Sequence, residues 1–192
     1  MNDEAELRRF ELLALPHLDA AYNLARWLTR SDHDAEDVVQ EASLRALRYF
    51  GGFRGDNARP WLMQIVRHTC YSWLKDNRPA DVIAFDDGDD AWQNVPAPPD
   101  DEPQAVYMRT ADRAQINKAL AGLPVVFREV LVLRELEDLS YKDIAHIVDI
   151  PVGTVMSRLA RARGLMRDAL GATGRPVLRT VTGRSTQSGA PS

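Results

Sequence analysis

The stretch "SYKDIAHIVDIPVGTVMSRLARAR", residues 140–163, decides how the rest of the chain is read. Ser140 followed three residues later by Asp143 is a capping box, and it predicts a short helix over 141–148. Pro151 suits the first position of a helix, where no amide donor is needed, and predicts a second helix from 151 to about 170. A short helix, a tight turn and a second helix with a basic N-terminal half describe a helix-turn-helix. Val155, Leu159, Ala162 and Met166 recur at steps of four, three and four, so they face the domain's own core. Thr154, Ser157, Arg158 and Arg161 are then presented outward, where hydroxyl and guanidinium groups suit base edges. Arg163 and Arg167 lie on another side and suit phosphates. Ile150 has no polar side chain to cap the helix. The amides of Val152, Gly153 and Thr154 are therefore expected to remain available to an anion such as phosphate.

A net charge of −4 argues against a nucleic-acid partner until its distribution is considered. Asp81, Asp86, Asp87, Asp89, Asp90, Asp100, Asp101 and Glu102 lie in a stretch without Lys or Arg. Without those eight charges the remainder of the chain is +4. In residues 151–170 four arginines face only Asp168, and such local excess locates an electrostatic footprint. Residues 77–104 also hold Pro79, Pro96, Pro98, Pro99 and Pro103, a composition that buries little and reads as an extended linker. Val82, Ile83, Phe85 and Trp92 are its apolar exceptions.

On the N-terminal side of the linker the pattern is helical. Leu18, Ala21, Tyr22, Ala25 and Leu28 mark one amphipathic helix. Ser31 or Asp32 caps a second, over 34–50, with Ala35, Val38, Val39, Ala42, Ala46 and Tyr49 as its inward stripe. After the glycine-rich "GGFRGDNARP" a third runs over 60–76, with Leu62, Ile65, Val66, Thr69 and Trp73 inward. Beyond the linker, helices are expected up to Gly122 and from Pro124 to about Glu137. The tail from 171, rich in Gly, Ser, Thr and Pro, is expected to be disordered. The expected fold is all-α: two small helical domains, residues 1–79 and 105–170, joined by an acidic Pro-rich linker at 80–104.

Hydrophobic residues at 45% and charged residues at 27% are an ordinary soluble balance, and no apolar run is long enough to span a bilayer. The charged N-terminus is not a signal peptide, and the single Cys70 forms no internal disulfide, so a cytoplasmic chain is expected. The histidines at 17, 33, 68 and 146 fall at no metal-ligand or nucleophile–base spacing; neither an enzyme nor a cofactor or metal site is expected.

Residues 123–163, "LPVVFREVLVLRELEDLSYKDIAHIVDIPVGTVMSRLARAR", resemble the fourth conserved region of bacterial RNA polymerase sigma factors, in particular the extracytoplasmic-function (ECF) group. Residues 32–79, from "DHDAEDVVQEASLRALRYF" to "WLKDNRP", resemble that group's second conserved region. Together the two cover just under half of the 192 residues, in the family's order. The resemblance implies a promoter-specificity subunit of RNA polymerase with no catalysis of its own. It implies that Asp37, Gln40, Glu41, Arg45 and Arg48 dock on the clamp helices of the largest polymerase subunit. Asp34 and Glu36 more simply complement the helix dipole. On the −10 side it implies DNA contacts from Arg54, Asn57 and Arg59 in the loop, and from Gln64, Arg67, His68, Tyr71, Lys75 and Arg78 on an outward helix face. Strand separation needs a basic surface and stacking platforms for unstacked bases. Trp61 and Trp73, flanking the apolar stripe, read as core.

The −35 side would use Tyr141, Lys142, Val152, Gly153, Thr154, Ser157, Arg158, Arg161 and Arg163. The acidic linker would thread the positively lined RNA exit channel. Some relatives are held by an anti-sigma factor, a further partner the resemblance allows. Two departures from the family stand out: Met156 where lysine is common, and Asp149 where the turn usually has glycine. A stand-alone helix-turn-helix regulator is the alternative, but it leaves residues 34–78 without a role.

Overall fold

The computed structural model describes residues 3–83 and 110–171. Phe85, Trp92, most of the expected linker and nearly all of the expected tail lie outside the described residues. Every regular element among the described residues is helical.

The N-terminal half is a bundle of α2 (Leu18–Thr29), α3 (Asp32–Tyr49) and α4 (Ala58–Asn77), with α1 (Asp3–Leu13) against one end. Pro16 separates α1 from α2 through the 3-10 turn Leu15–His17, because proline has no amide to continue the ladder. Ser31 caps α3; its hydroxyl accepts the Asp34 amide at 3.3 Å. The buried stripe of α3 is almost all small, Ala35, Val38, Ala42 and Ala46, so α2 and α4 approach it closely. Tyr49, expected in that stripe, is instead 62% exposed. The chain tightens into the 3-10 turn Phe50–Gly52 there, and Phe50 takes the buried position. Asn57 caps α4, which buries Leu62, Met63, Val66, Cys70 and Leu74. Trp61 and Trp73 pack against the core as expected. The linker does not begin extended: Pro79–Ile83 form a short helix, α5, and Asp81 ion-pairs with Arg30 at the end of α2.

The C-terminal half comprises α6 (Thr110–Gly122), α7 (Val125–Leu131), α8 (Tyr141–Val148) and α9 (Val152–Gly171). Pro124 caps α7 from outside, with φ −52° and ψ 144°, instead of opening it. α7 widens into a π turn, Val132–Leu136, in which the Glu137 amide reaches the Val132 carbonyl at 3.1 Å. α8 has the bounds its capping box predicts. The Ser140 hydroxyl accepts the Asp143 amide at 3.1 Å and donates to the Asp143 carboxylate at 2.7 Å. Asp149 takes the left-handed conformation (φ 58°) that glycine adopts most easily, and its amide donates to the Ala145 carbonyl. α9 buries Val155, Leu159 and Ala162, with Met166 packed beside them, as the periodicity requires.

The halves abut: α7 lies on α2 and α8 on α4, and their buried residues form one continuous core. Arg128 ties the seam from inside. Only 1% exposed, it donates to the carbonyls of Ala121 (2.8 Å) and Leu123 (2.9 Å) in its own half and of Leu28 (3.5 Å) in the other. Burial, and then the nearby Arg30, lower its pKa to about 10. Arg128→Ala removes the donor to buried carbonyls and leaves a void. It should cost about 3 kcal/mol of unfolding free energy, measured by urea denaturation.

Candidate nucleic-acid interface

On α3, Asp37, Gln40, Glu41, Leu44 and Arg48 are exposed along one face, with Arg45 partly so. Glu41 and Arg45 pair with each other at 2.7 Å, one turn apart. Leu44, 57% exposed in the middle of these polar groups, was not among the expected docking residues. Its signal was in the sequence: Leu44 falls outside the stripe that Ala35, Val38, Ala42 and Ala46 define.

On the −10 side the expected outward set divides. Arg54, Asn57, His68 and Lys75 are exposed, and Arg78 is partly so, resting over the Trp73 ring. The Asn57 side-chain oxygen is used in capping α4. Arg59, Gln64, Arg67 and Tyr71 do not face solvent as a group; they face the second half. Arg67 donates to the Glu129 carboxylate at 2.8 and 3.3 Å, and Arg59 to the Glu137 carboxylate and carbonyl at 3.0 and 2.8 Å. Gln64 donates to the His146 carbonyl at 3.3 Å. The outward placement of Arg67 and Tyr71 is therefore corrected: α8 packs on α4, and α7 brings a fully buried glutamate to Arg67, the cation that a buried carboxylate needs. Burial opposes the charge of Arg67, but Glu129 outweighs it and raises the guanidinium pKa. The Tyr71 hydroxyl, under the Arg67 guanidinium, is pushed up by burial and then by Glu129.

The two glutamates reach the same helix because of the π turn. Eight α-helical steps between 129 and 137 would leave their side chains about 80° apart. A π turn advances less per residue and takes up that offset, so both face α4. Arg59 and Arg67 carry the same eight-residue spacing in the opposite order. Asn23 on α2 also donates to Glu137.

On the −35 side, Lys142, Val152, Gly153, Met156, Ser157 and Arg163 are exposed, while Tyr141, Thr154 and Arg161 are partly buried. Two expectations are corrected. The Thr154 amide is not open to an anion, because it donates to the Pro151 carbonyl at 2.9 Å in the first turn of α9. Arg158 does not point outward: its side chain is 14% exposed and lies 3.7 Å from Glu129. Arg163 pairs with Glu135 at 2.8 Å; its burial opposes the charge, yet that carboxylate raises its pKa.

Comparison with known proteins gives this constellation its class. The sigma-70 region 2 family matches residues 13–79 and the sigma-70 region 4 family matches residues 113–166, together well over half of the chain. The chain belongs to the sigma-70 family of RNA polymerase sigma factors, in its ECF group. It is 36% identical over 181 residues to the RNA polymerase sigma-H factor of Pseudomonas aeruginosa, covering 90% of this chain and 89% of that one. It is 37% identical over 139 residues to the ECF RNA polymerase sigma-E factor of Escherichia coli, covering 68% and 70%. Among solved structures it is similar to the sigma factor RpoE in complex with the anti-sigma factor NepR from Bartonella quintana. That match has a TM-score of 0.60 at 27% identity, over 82% of this chain and 93% of that one. The fold is also that of CnrH, solved with the cytosolic domain of CnrY, with a TM-score of 0.62 at 23% identity, over 88% and 91%.

The chain is thus a sigma factor that directs promoter-specific transcription initiation with RNA polymerase, and it is not an enzyme. A stand-alone regulator would need no region 2, and the match to that region removes this alternative. No described helix is long and apolar enough to cross a membrane.

Glu129→Ala would leave Arg67 and Arg158 facing each other without their shared carboxylate. Parting of the halves lets the arginines rehydrate, so the loss, about 3 kcal/mol, should be spent on opening the seam. Hydrogen exchange in α8 and α9 should accelerate while α2 and α3 keep their protection.

Proposed function

We propose that three surfaces of this sigma factor divide the work of initiation, and that the described arrangement is its closed form. α3 docks on the clamp helices of the largest polymerase subunit through Asp37, Gln40, Glu41, Arg45 and Arg48, with Leu44 supplying the apolar centre among them. The loop around Arg54 and Asn57, with Arg59, Gln64, Arg67, His68, Tyr71, Lys75 and Arg78 of α4, receives the −10 element. α8 and α9 read the −35 element through Tyr141, Lys142, Val152, Gly153, Thr154, Ser157, Arg158, Arg161 and Arg163. The domain limits are those of the sequence, 1–79 and 105–170, with residues 80–104 as the acidic linker in the RNA exit channel and 171–192 as a tail. The protein is cytoplasmic. A partner of the anti-sigma kind, such as the NepR bound to the similar RpoE, would hold these surfaces.

One observation carries the closed form: Glu129 and Glu137 of the −35 domain neutralise Arg67 and Arg59, cations of the −10 surface, across the seam. Each carboxylate offers its arginine oxygens of the kind a phosphate offers. Binding to polymerase must part α4 from α7–α9 before these arginines can meet DNA.

Two measurements test this. Gln64→Cys with His146→Cys, bridged by a short cleavable bis-maleimide, should lose promoter-dependent transcription relative to the same pair left unbridged, and reversal of the bridge should restore it to that level. Cys70 is buried and spared by the reagent. Full activity after bridging would exclude the closed form. Arg158→Ala with Arg161→Ala should lower transcription from promoters that need the −35 element. In a gel-shift assay of the holoenzyme, the salt dependence of binding should become shallower by about one phosphate contact per arginine lost.

A further inference from the structure

The loop that leads into α4 has neither helix nor sheet to hold it, yet it must present a defined shape to DNA. Arg54, Gly55, Asp56 and Asn57 are all exposed at its tip. Its base rests on an aromatic cluster. Phe50 is fully buried, stacked on Phe53 at 5.7 Å between ring centres and edge-on to Phe10 at 5.2 Å; Phe53 lies 5.0 Å from Trp61. Rings secure the base of the loop but do not orient its backbone.

That orientation comes from α1. Arg9 donates from one guanidinium nitrogen to the Phe53 carbonyl at 3.1 Å and from the other to the Gly55 carbonyl at 3.0 Å. Its guanidinium also lies 5.1 Å from the centre of the Phe50 ring and 5.6 Å from that of Phe53. One planar fork thus clips two alternate carbonyls of the loop to the aromatic floor, a geometry a lysine point charge cannot reproduce. The neighbouring residues show that this is specific to Arg9. Arg8 turns to solvent and pairs with Glu4, while Phe10 inserts beside Phe50 and anchors the helix that carries Arg9. Gly55 accommodates the clip closely: a Cβ there would meet the Phe53 ring at 3.0 Å.

We infer that Arg9 is a positioning residue for the −10 element: from α1 it sets the backbone shape in which the loop meets an unstacked base. This rests on the assignment of the loop to −10 recognition proposed above. A loop already ordered in its binding shape loses less freedom when DNA arrives, and a displaced recognition group costs both affinity and discrimination. Arg9 itself lies behind the loop and touches no base.

The test uses the full chain bound to core polymerase, with Arg9→Met and Arg9→Lys compared with Arg54→Ala. Arg9→Met keeps an apolar stem against the rings while removing both donors. Promoter opening is followed by permanganate reactivity of the −10 thymines. Discrimination is read from competition between a template and versions of it substituted singly in the −10 or the −35 element. Arg9→Met should slow opening about tenfold and flatten discrimination at the −10 element only, with polymerase binding and −35 discrimination unchanged. Arg9→Lys should recover part of both losses. Arg9→Met with native −10 discrimination, or with equal losses at −35 and in polymerase binding, would overturn the inference. If Arg54→Ala impairs −10 discrimination while Arg9→Met does not, the loop reads DNA without Arg9's help. If Arg54→Ala is silent as well, the assignment of the loop falls, and the inference with it.

Discussion

A carboxylate with no access to water organises this molecule. Glu129 sits in α7 at 0% exposure, inside the run "VVFREVLVL", where an unpaired charge would cost several kcal/mol. It is held there by Arg67 from one half of the chain and Arg158 from the other. The packing of α7 on α2, the direction of Arg67 and the withdrawal of Arg158 from the surface all satisfy that one group. Arg128, its neighbour in sequence, uses the same seam in a complementary way, giving a buried cation to backbone carbonyls of both halves.

In the closed form proposed above, a protein with two DNA-reading domains is stable alone while Arg59 and Arg67 are kept from DNA. A carboxylate and a phosphate present similar oxygens to a guanidinium, so Glu129 and Glu137 satisfy the arginines as promoter phosphates would. On that proposal, polymerase holds the two domains at the spacing of its promoter and lets nucleic acid replace the internal acids. The departures from the family lie elsewhere. Asp149 accepts the left-handed turn, and Met156, where the resemblance leads one to expect lysine, is half-exposed on α9.

Where local chemistry sufficed, the fold was legible. Ser31 and Ser140 cap the helices their hydroxyls announce, and the steps of Val155, Leu159 and Ala162 give the buried face of α9. Periodicity failed at element ends. Tyr49 continues the stripe of α3 on paper, but the 3-10 turn transfers its place to Phe50. One basic and one acidic residue, Arg128 and Glu129, inside "FREVLVL" are the signal in the sequence, since charges in an apolar run must find partners.

The sequence by itself determined the helices, their caps and the inward faces, because these depend on neighbours a few residues apart. It also determined the family, through two motifs in order. Only the tertiary structure decided which polar side chains look outward. Arg67 and Arg158 lie off the apolar stripes of their own helices, and single-helix periodicity makes them surface residues. Their partner is a glutamate on a third helix, aligned by a π turn that no sequence period announces. A charge's surroundings are set by what packs across from it, and that information is non-local.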